Sequence, residues 1–419
     1  MTTSSRPTAS RPTASTAPIA FTPTTDSRFA VDEPLLERAR ALAPVITEHA
    51  DAAERDRQLA RPVLEALRAA GLFRVFTPRA LGGLEADPVT VARVAEEVAG
   101  FDSAAGWALQ AGNTGAWWAS RIPEAGVAEL FAHGPDLLIA ASFSPPHRAQ
   151  AVPGGYRLTG RGPLASTIHH SPWVMMTGVV HDGEAPRMTP AGPEIVALVM
   201  PTSDVEVVDT WHSLGMRGSD SNDVAAHDVF VPASRSYVLN PAVELRPPFE
   251  GPLYRLPAPA SVIVVVAPVA LAIARGAITS LRELTDRKTP LGSMKTLRHR
   301  AAVQSAVAEG EALLCAARLL FYDTLATAWA RAVAAEAATL QQKADLMLAG
   351  THAVRTAAKV VDLMHRMGGT SGIYARSRLE RHFRDAQTVR HHGFVCESRL
   401  ETVGQVYLGV DPEFGMVAF

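Results

Sequence analysis

The chain has 419 residues, 47% of them hydrophobic, and a formal net charge of −2. That length predicts roughly two to four structural domains with ample chain to bury a core, and the near-neutral charge leaves no basic footprint for nucleic acid. The two cysteines, Cys315 and Cys396, lie far apart, which suits ordinary thiols in a reducing cytoplasm better than a disulfide framework.

Residues 1–28 repeat Arg-Pro-Thr-Ala-Ser at 6–10 and 11–15 and carry no acidic residue before Asp26. Such a stretch buries too little apolar surface to offset its ordering entropy, so a disordered tail is expected. It lacks the apolar core of a secretory signal. From Glu33 to about Arg121 the pattern is helical: Leu35, Leu36, Ala39, Leu42 and Val45, then Val63, Leu64 and Leu67, recur at helix spacing. Asp102 or Ser103 is placed to N-cap a further helix carrying Trp107, Trp117 and Trp118; these indoles suit core packing more than a pocket.

Between about Leu137 and Leu239 the period shifts to that of strands, as at 173–180 and 195–200. From about Pro259 the chain is helical again. Residues 262–274 are apolar but short for a membrane span, with Pro268 inside and Arg275 after, which predicts a buried core helix and no membrane association. Further helices are predicted at about 301–334, 336–367 and 377–404, completing a four-helix bundle. The fold class is therefore α+β and mostly α: a tail at 1–28, an N-terminal helical domain at 29–136, a central β-barrel-like domain at 137–245 and the bundle at 246–419.

Several motifs stand in a fixed order. They are Ala69-Ala70-Gly71-Leu72-Phe73 with Gly82-Gly83-Leu84-Glu85, and the segment 160–173 around Ala165-Ser166-Thr167-Ile168-His169-His170. Leu214-Gly215-Met216-Arg217-Gly218-Ser219-Asp220-Ser221 and Arg287-Lys288-Thr289 follow, then Gly368-Gly369-Thr370-Ser371-Gly372 and Arg384-Asp385 with His391-His392-Gly393-Phe394. From about residue 33 to 412 this order resembles the acyl-CoA dehydrogenase superfamily. In the dehydrogenases a Glu at the position of Gly393 takes a proton beside a thioester carbonyl; a glycine cannot. The His eight residues after Arg384, His392, is similar instead to the two-component flavin-dependent monooxygenase branch. Gly162 and Thr167 depart from it, standing where the hydroxylases carry Trp and Gly.

The resemblance implies an oxygenase component that takes up externally reduced flavin, FMNH2 ahead of FADH2, and uses O2 through a flavin hydroperoxide to hydroxylate an aromatic or heteroaromatic small molecule. Such a species lasts only in a dry pocket with placed donors. Ser166 is the candidate donor, and His392, titrating near neutral pH, the candidate base. Ser142, Ser166, Trp173, Arg217, Ser219, Arg287, Gly368, Gly369 and Thr370 are candidate flavin contacts, with an Arg fork suited to phosphate. Trp107, His170, His391 and Phe394 are candidate pocket residues.

A homotetramer is implied, and a separate NAD(P)H:flavin reductase, since no GxGxxG follows a strand. No metal site is expected, because the 14 histidines form no ligand-spaced cluster. The alternatives are an N-oxygenase of an amine or amino sugar, an acyl-CoA dehydrogenase whose base has moved to Glu283, and a non-catalytic binding protein on the same scaffold.

Overall fold

The computed structural model describes residues 27–190, 192–239 and 249–418. All but the last two residues of the expected tail lie outside the described residues, as does the domain boundary expected near 245. Helices come first: α1 (Glu33–Arg40), α2 (Ala43–Asp56), α3 (Arg61–Ala69), α4 (Pro88–Phe101), α5 (Ser103–Ala119) and α6 (Glu124–Leu130). Local chemistry sets their starts. The side chains of Asp32, Asp87 and Asp102 accept backbone N–H groups at the first turns of α1, α4 and α5, satisfying donors that a helix leaves open. Asp102 is thus the N-cap of α5.

The strands are β1 (Ile139–Val152), β2 (Gly155–Ala165), β3 (Trp173–Asp182), β4 (Ala185–Pro186), β5 (Met188–Thr189), β6 (Gly192–Pro193), β7 (Ile195–Pro201), β8 (Glu206–Val208), β9 (Asn222–Pro232) and β10 (Ser236–Leu239). The main sheet runs β10-β7-β3-β1-β2-β9-β8, with β4 on β3 and a separate β5-β6 ribbon. The expected central β domain is present, with its sheet open rather than closed into a barrel. Among the described residues the short end strands β10 and β8 each pair on one side only, whereas a barrel needs its end strands to pair with each other. Alternation along the strands gives the two faces different cores: Met175, Ala197 and Val199 pack toward the helices, while Val174, Met176, Val196 and Leu198 form a second cluster.

The C-terminal helices are α7 (Ala258–Arg287), α8 (Ala301–Val333), α9 (Leu340–Gly368), α10 (Arg378–Val389) and α11 (Arg399–Tyr407). Every residue of 262–274 is buried, so this stretch is a core helix, with α4, α5, α9 and α10 packed around it. The helix predicted at 377–404 is two. After Val389 the chain tightens into successive three-residue turns, His391 N–H to Thr388 O and His392 N–H to Val389 O, and resumes only at Arg399. That break carries His392 out of a regular helix.

Candidate active site

A cavity of about 1320 Å³ lies between α5, the sheet, the 211–221 loop and the turn after α10. One helix supplies a whole wall: Trp107, Gln110, Ala111, Thr114 and Trp118 follow each other at helical spacing along one face of α5. Phe143, Met175, Phe394 and Phe414 close the apolar side. The space exceeds the usual range for one ligand, roughly 300–1,000 Å³.

Ser166 enters the cavity at the end of β2 because two turns are locked together. Thr167 N–H donates to Ser219 O (2.9 Å) and Ile168 N–H to Asp220 O (3.4 Å). The buried Asp220 carboxylate accepts His169 N–H (2.9 Å) and Asn222 Nδ2 (2.8 Å) and pairs with His169 Nδ1 (2.7 Å). The result is a row of hydroxyls, with Ser166 Oγ 2.8 Å from Ser221 Oγ and Ser221 Oγ 2.8 Å from Ser219 Oγ. Trp107 Nε1–H donates to Ser166 Oγ at 3.0 Å. Thr167 sits at φ 58°, in the left-handed region that favours the family's glycine. Its Oγ1 donates to Ser166 O at 2.6 Å, which helps hold it there.

Across the cavity the His392 ring meets Trp107 edge-on, centroids 5.4 Å apart, and tilts against Phe394 at 6.1 Å. Burial pushes the imidazole down to about 4, so it is neutral at physiological pH. Phe394 N–H donates to His392 Nδ1 across a long 3.4 Å, which places the ring proton on Nε2 in this arrangement. Taking a proton from a substrate at Nε2 requires the other tautomer and gives up only that long contact.

The Arg-Asp pair of α10 braces the loop that carries the hydroxyls. Asp385 accepts Met216 N–H (2.6 Å) and Ser103 Oγ–H, and Arg384 Nη1 donates to Leu214 O (3.0 Å) and Glu54 (2.6 Å). A Cβ on Gly215 would lie 2.3 Å from Arg384 C, so only glycine lets the loop rest on the helix. Beneath it, burial pushes the Asp102 carboxyl up to about 6 even though Arg381 Nη2 donates to it at 2.7 Å.

Of the residues singled out in the sequence, Ser166, Ser219, Trp107, His391, His392 and Phe394 line the cavity, His391 being exposed. The others do not. His170 is partly buried near Leu59 and Asp220; Trp173 stacks under Arg235. Ser142 is buried and donates to Pro163 O at 2.8 Å, so it supports the wall from behind. Arg217 turns away, its Nε donating to Ser213 O at 3.0 Å. Arg287, Gly368, Gly369 and Thr370 form a separate group at the ends of α7 and α9, joined by Lys288 Nζ, which donates to Gly368 O at 2.7 Å. Glu283 is exposed and also outside the cavity. Among the described lining residues Glu194 is the one carboxylate, and Arg187 holds it at 3.0 Å.

Residues 33–127 match the acyl-CoA dehydrogenase N-terminal domain and 264–397 its C-terminal domain. The indole-3-acetate monooxygenase of Pseudomonas putida is 30% identical over 86% of this chain and 90% of its own. XiaF from Streptomyces, solved with FADH2 and glycerol, superimposes with a TM-score of 0.84 at 26% identity, covering 91% of this chain and 96% of its own. The 3-HSA hydroxylase of Rhodococcus sp. RHA1 gives 0.85 at 23% identity, covering 92% and 99%. The chain belongs to the acyl-CoA dehydrogenase family, in its flavin-dependent monooxygenase branch.

Proposed function

We propose that this enzyme is the oxygenase component of a two-component system: flavin reduced elsewhere, together with O2, hydroxylates an uncharged aromatic or heteroaromatic ring in the cavity. One observation carries the reading. A single aromatic-walled space holds a hydroxyl donor, Ser166, and a neutral imidazole, His392, and has glycine where a dehydrogenase needs its carboxylate. Its volume of about 1320 Å³ accommodates a flavin ring and a substrate side by side.

Reduced flavin, held against Ser166, Ser219 and Ser221, would supply the two electrons that O2 activation needs. The chain's own residues do the rest. Trp107, Phe143, Phe394 and Phe414 exclude water. Ser166 would offer its hydroxyl proton to the bound flavin, and His392 would take the proton of a ring hydroxyl. An imidazole held near 4 is a weak base toward a resting phenol, but the hydroxyl becomes strongly acidic as its ring gains oxygen, so the transfer belongs to the transition state.

XiaF is solved with FADH2 and a resorcinol hydroxylase relative is named FADH2-dependent, while KijD3 and TdsC are solved with FMN, so the flavin proposed is reduced FAD or reduced FMN. The assembly proposed is a homotetramer in which the Arg287 and Gly368–Thr370 group, outside the cavity and close in sequence to the exposed Leu291 and Met294, serves a neighbouring protomer's flavin.

The test is anaerobic and aerobic spectroscopy on the apo-protein. Binding of reduced flavin followed by arene-dependent oxygen uptake supports the reading. Bleaching of bound oxidised flavin by an acyl-CoA, with no arene-dependent oxygen uptake, contradicts it.

A further inference from the structure

We infer that Trp107 and Ser221 are positioning residues that make Ser166 a one-directional hydrogen-bond donor into the cavity; this rests on the reading of Ser166 as the flavin-side donor. A hydroxyl carries one proton and two acceptor sites, and an indole N–H can only donate. Trp107 Nε1–H, at 3.0 Å, therefore occupies one acceptor site of Ser166 Oγ whichever way the hydroxyl protons of the row point. The row Ser166, Ser221, Ser219, with links of 2.8 Å and 2.8 Å, has two links and three protons, so one proton is left over. All three residues line the cavity.

An acceptor lying against Ser166 selects one direction: Ser219 donates to Ser221, Ser221 donates to Ser166, and both acceptor sites of Ser166 are then filled. Its own proton has only the cavity to go to. Each donation polarises the next, which strengthens the last donor in the row. Trp107 also packs edge-to-face with His392, ring centroids 5.4 Å apart, so one side chain contacts both candidate catalytic groups.

The variants are Trp107→Phe, which keeps a ring against His392 but loses the N–H, Ser221→Ala, Ser221→Thr, Ser166→Ala and the Ser166→Ala/Ser221→Ala pair. Three quantities are read: the Kd of reduced flavin in anaerobic titration, the visible spectrum of bound oxidised flavin, and the share of oxygen released as hydrogen peroxide. Trp107→Phe and Ser221→Ala should each weaken flavin binding by about 2- to 10-fold, the range of one neutral hydrogen bond. Both should shift the bound spectrum and raise the peroxide share. Ser221→Thr should restore all three, and the pair should be no worse than Ser166→Ala alone.

If Ser166→Ala is impaired while Ser221→Ala and Trp107→Phe match the wild type, or if the pair is additive, the positioning role is wrong although the donor reading stands. If Ser166→Ala itself matches the wild type, the donor reading falls and the positioning role falls with it. Should Trp107→Phe fail to fold, the Ser221 variants decide alone.

Discussion

Asp385 reaches from α10 to accept the Met216 backbone N–H at 2.6 Å, and this contact ties the C-terminal helices to the loop that carries Ser219 and Ser221. Both partners are buried. Asp385→Ala leaves that N–H without an acceptor, which costs about 1–3 kcal/mol. Thermal unfolding should show the loss, and flavin affinity should fall with it. Asp385→Asn keeps an oxygen for Met216 and should lose clearly less in both measurements.

His392 faces the cavity with no ion-pair partner among the described residues to hold it charged. His392→Ala should leave flavin binding near wild type but slow hydroxylation by ~10²-fold, the common scale of general-base loss. Oxygen uptake should continue, with the missing product appearing as hydrogen peroxide. Unchanged product formation removes His392 from proton transfer.

The same residue sets a pH expectation. Burial lowers its folded value to about 4 from 6.5, so its contribution to stability is fully present above the unfolded value and is lost as pH falls through about 4. The wild type should therefore lose melting temperature relative to His392→Gln as pH is lowered from 7 to 4.5. Asp102 runs the opposite way: raised to about 6, its contribution is present below its unfolded value and is lost as pH rises through 6. In carbon NMR, His392 should show no titration between pH 5 and 8; a midpoint near 6.5 contradicts the burial reading.

Gly162 stands where the hydroxylases carry a tryptophan, and the structure gives the reason. A Cβ there would lie 2.4 Å from Ser142 Oγ and 2.8 Å from His147 Nε2. Gly162→Ala should lower stability by about 1–3 kcal/mol through overpacking. Adding Ser142→Ala removes the nearer clash and should recover part of it, as unfolding curves can show.

Helix spacing in the sequence carried the location of most elements, and the order of the motifs carried the family. The helix face that builds the cavity was present too: Trp107 with Gln110, Thr114 and Trp118 repeats at helical intervals, but a helix buried at every position except Gln110 looks like core from either side. The closeness of Ser166 to Ser221 was not legible. It depends on Asp220 clamping two turns more than 50 residues apart in sequence, a tertiary event with no local periodicity. The break after Val389 was missed because residues 390–398 contain no proline and only one glycine, leaving helix propensity to suggest continuity. The separation of Arg287 and the Gly368–Thr370 turn from the cavity is likewise a matter of where helix ends fall in space.

Isotope incorporation tests the central claim most directly. With a reductase, flavin, a neutral arene that the enzyme turns over and 18O2, mass spectrometry of the product should show one oxygen-18 atom per hydroxylation, and the same reaction in labelled water with unlabelled oxygen should show none. Product oxygen derived from water, or turnover that proceeds without oxygen, contradicts the assignment as a monooxygenase.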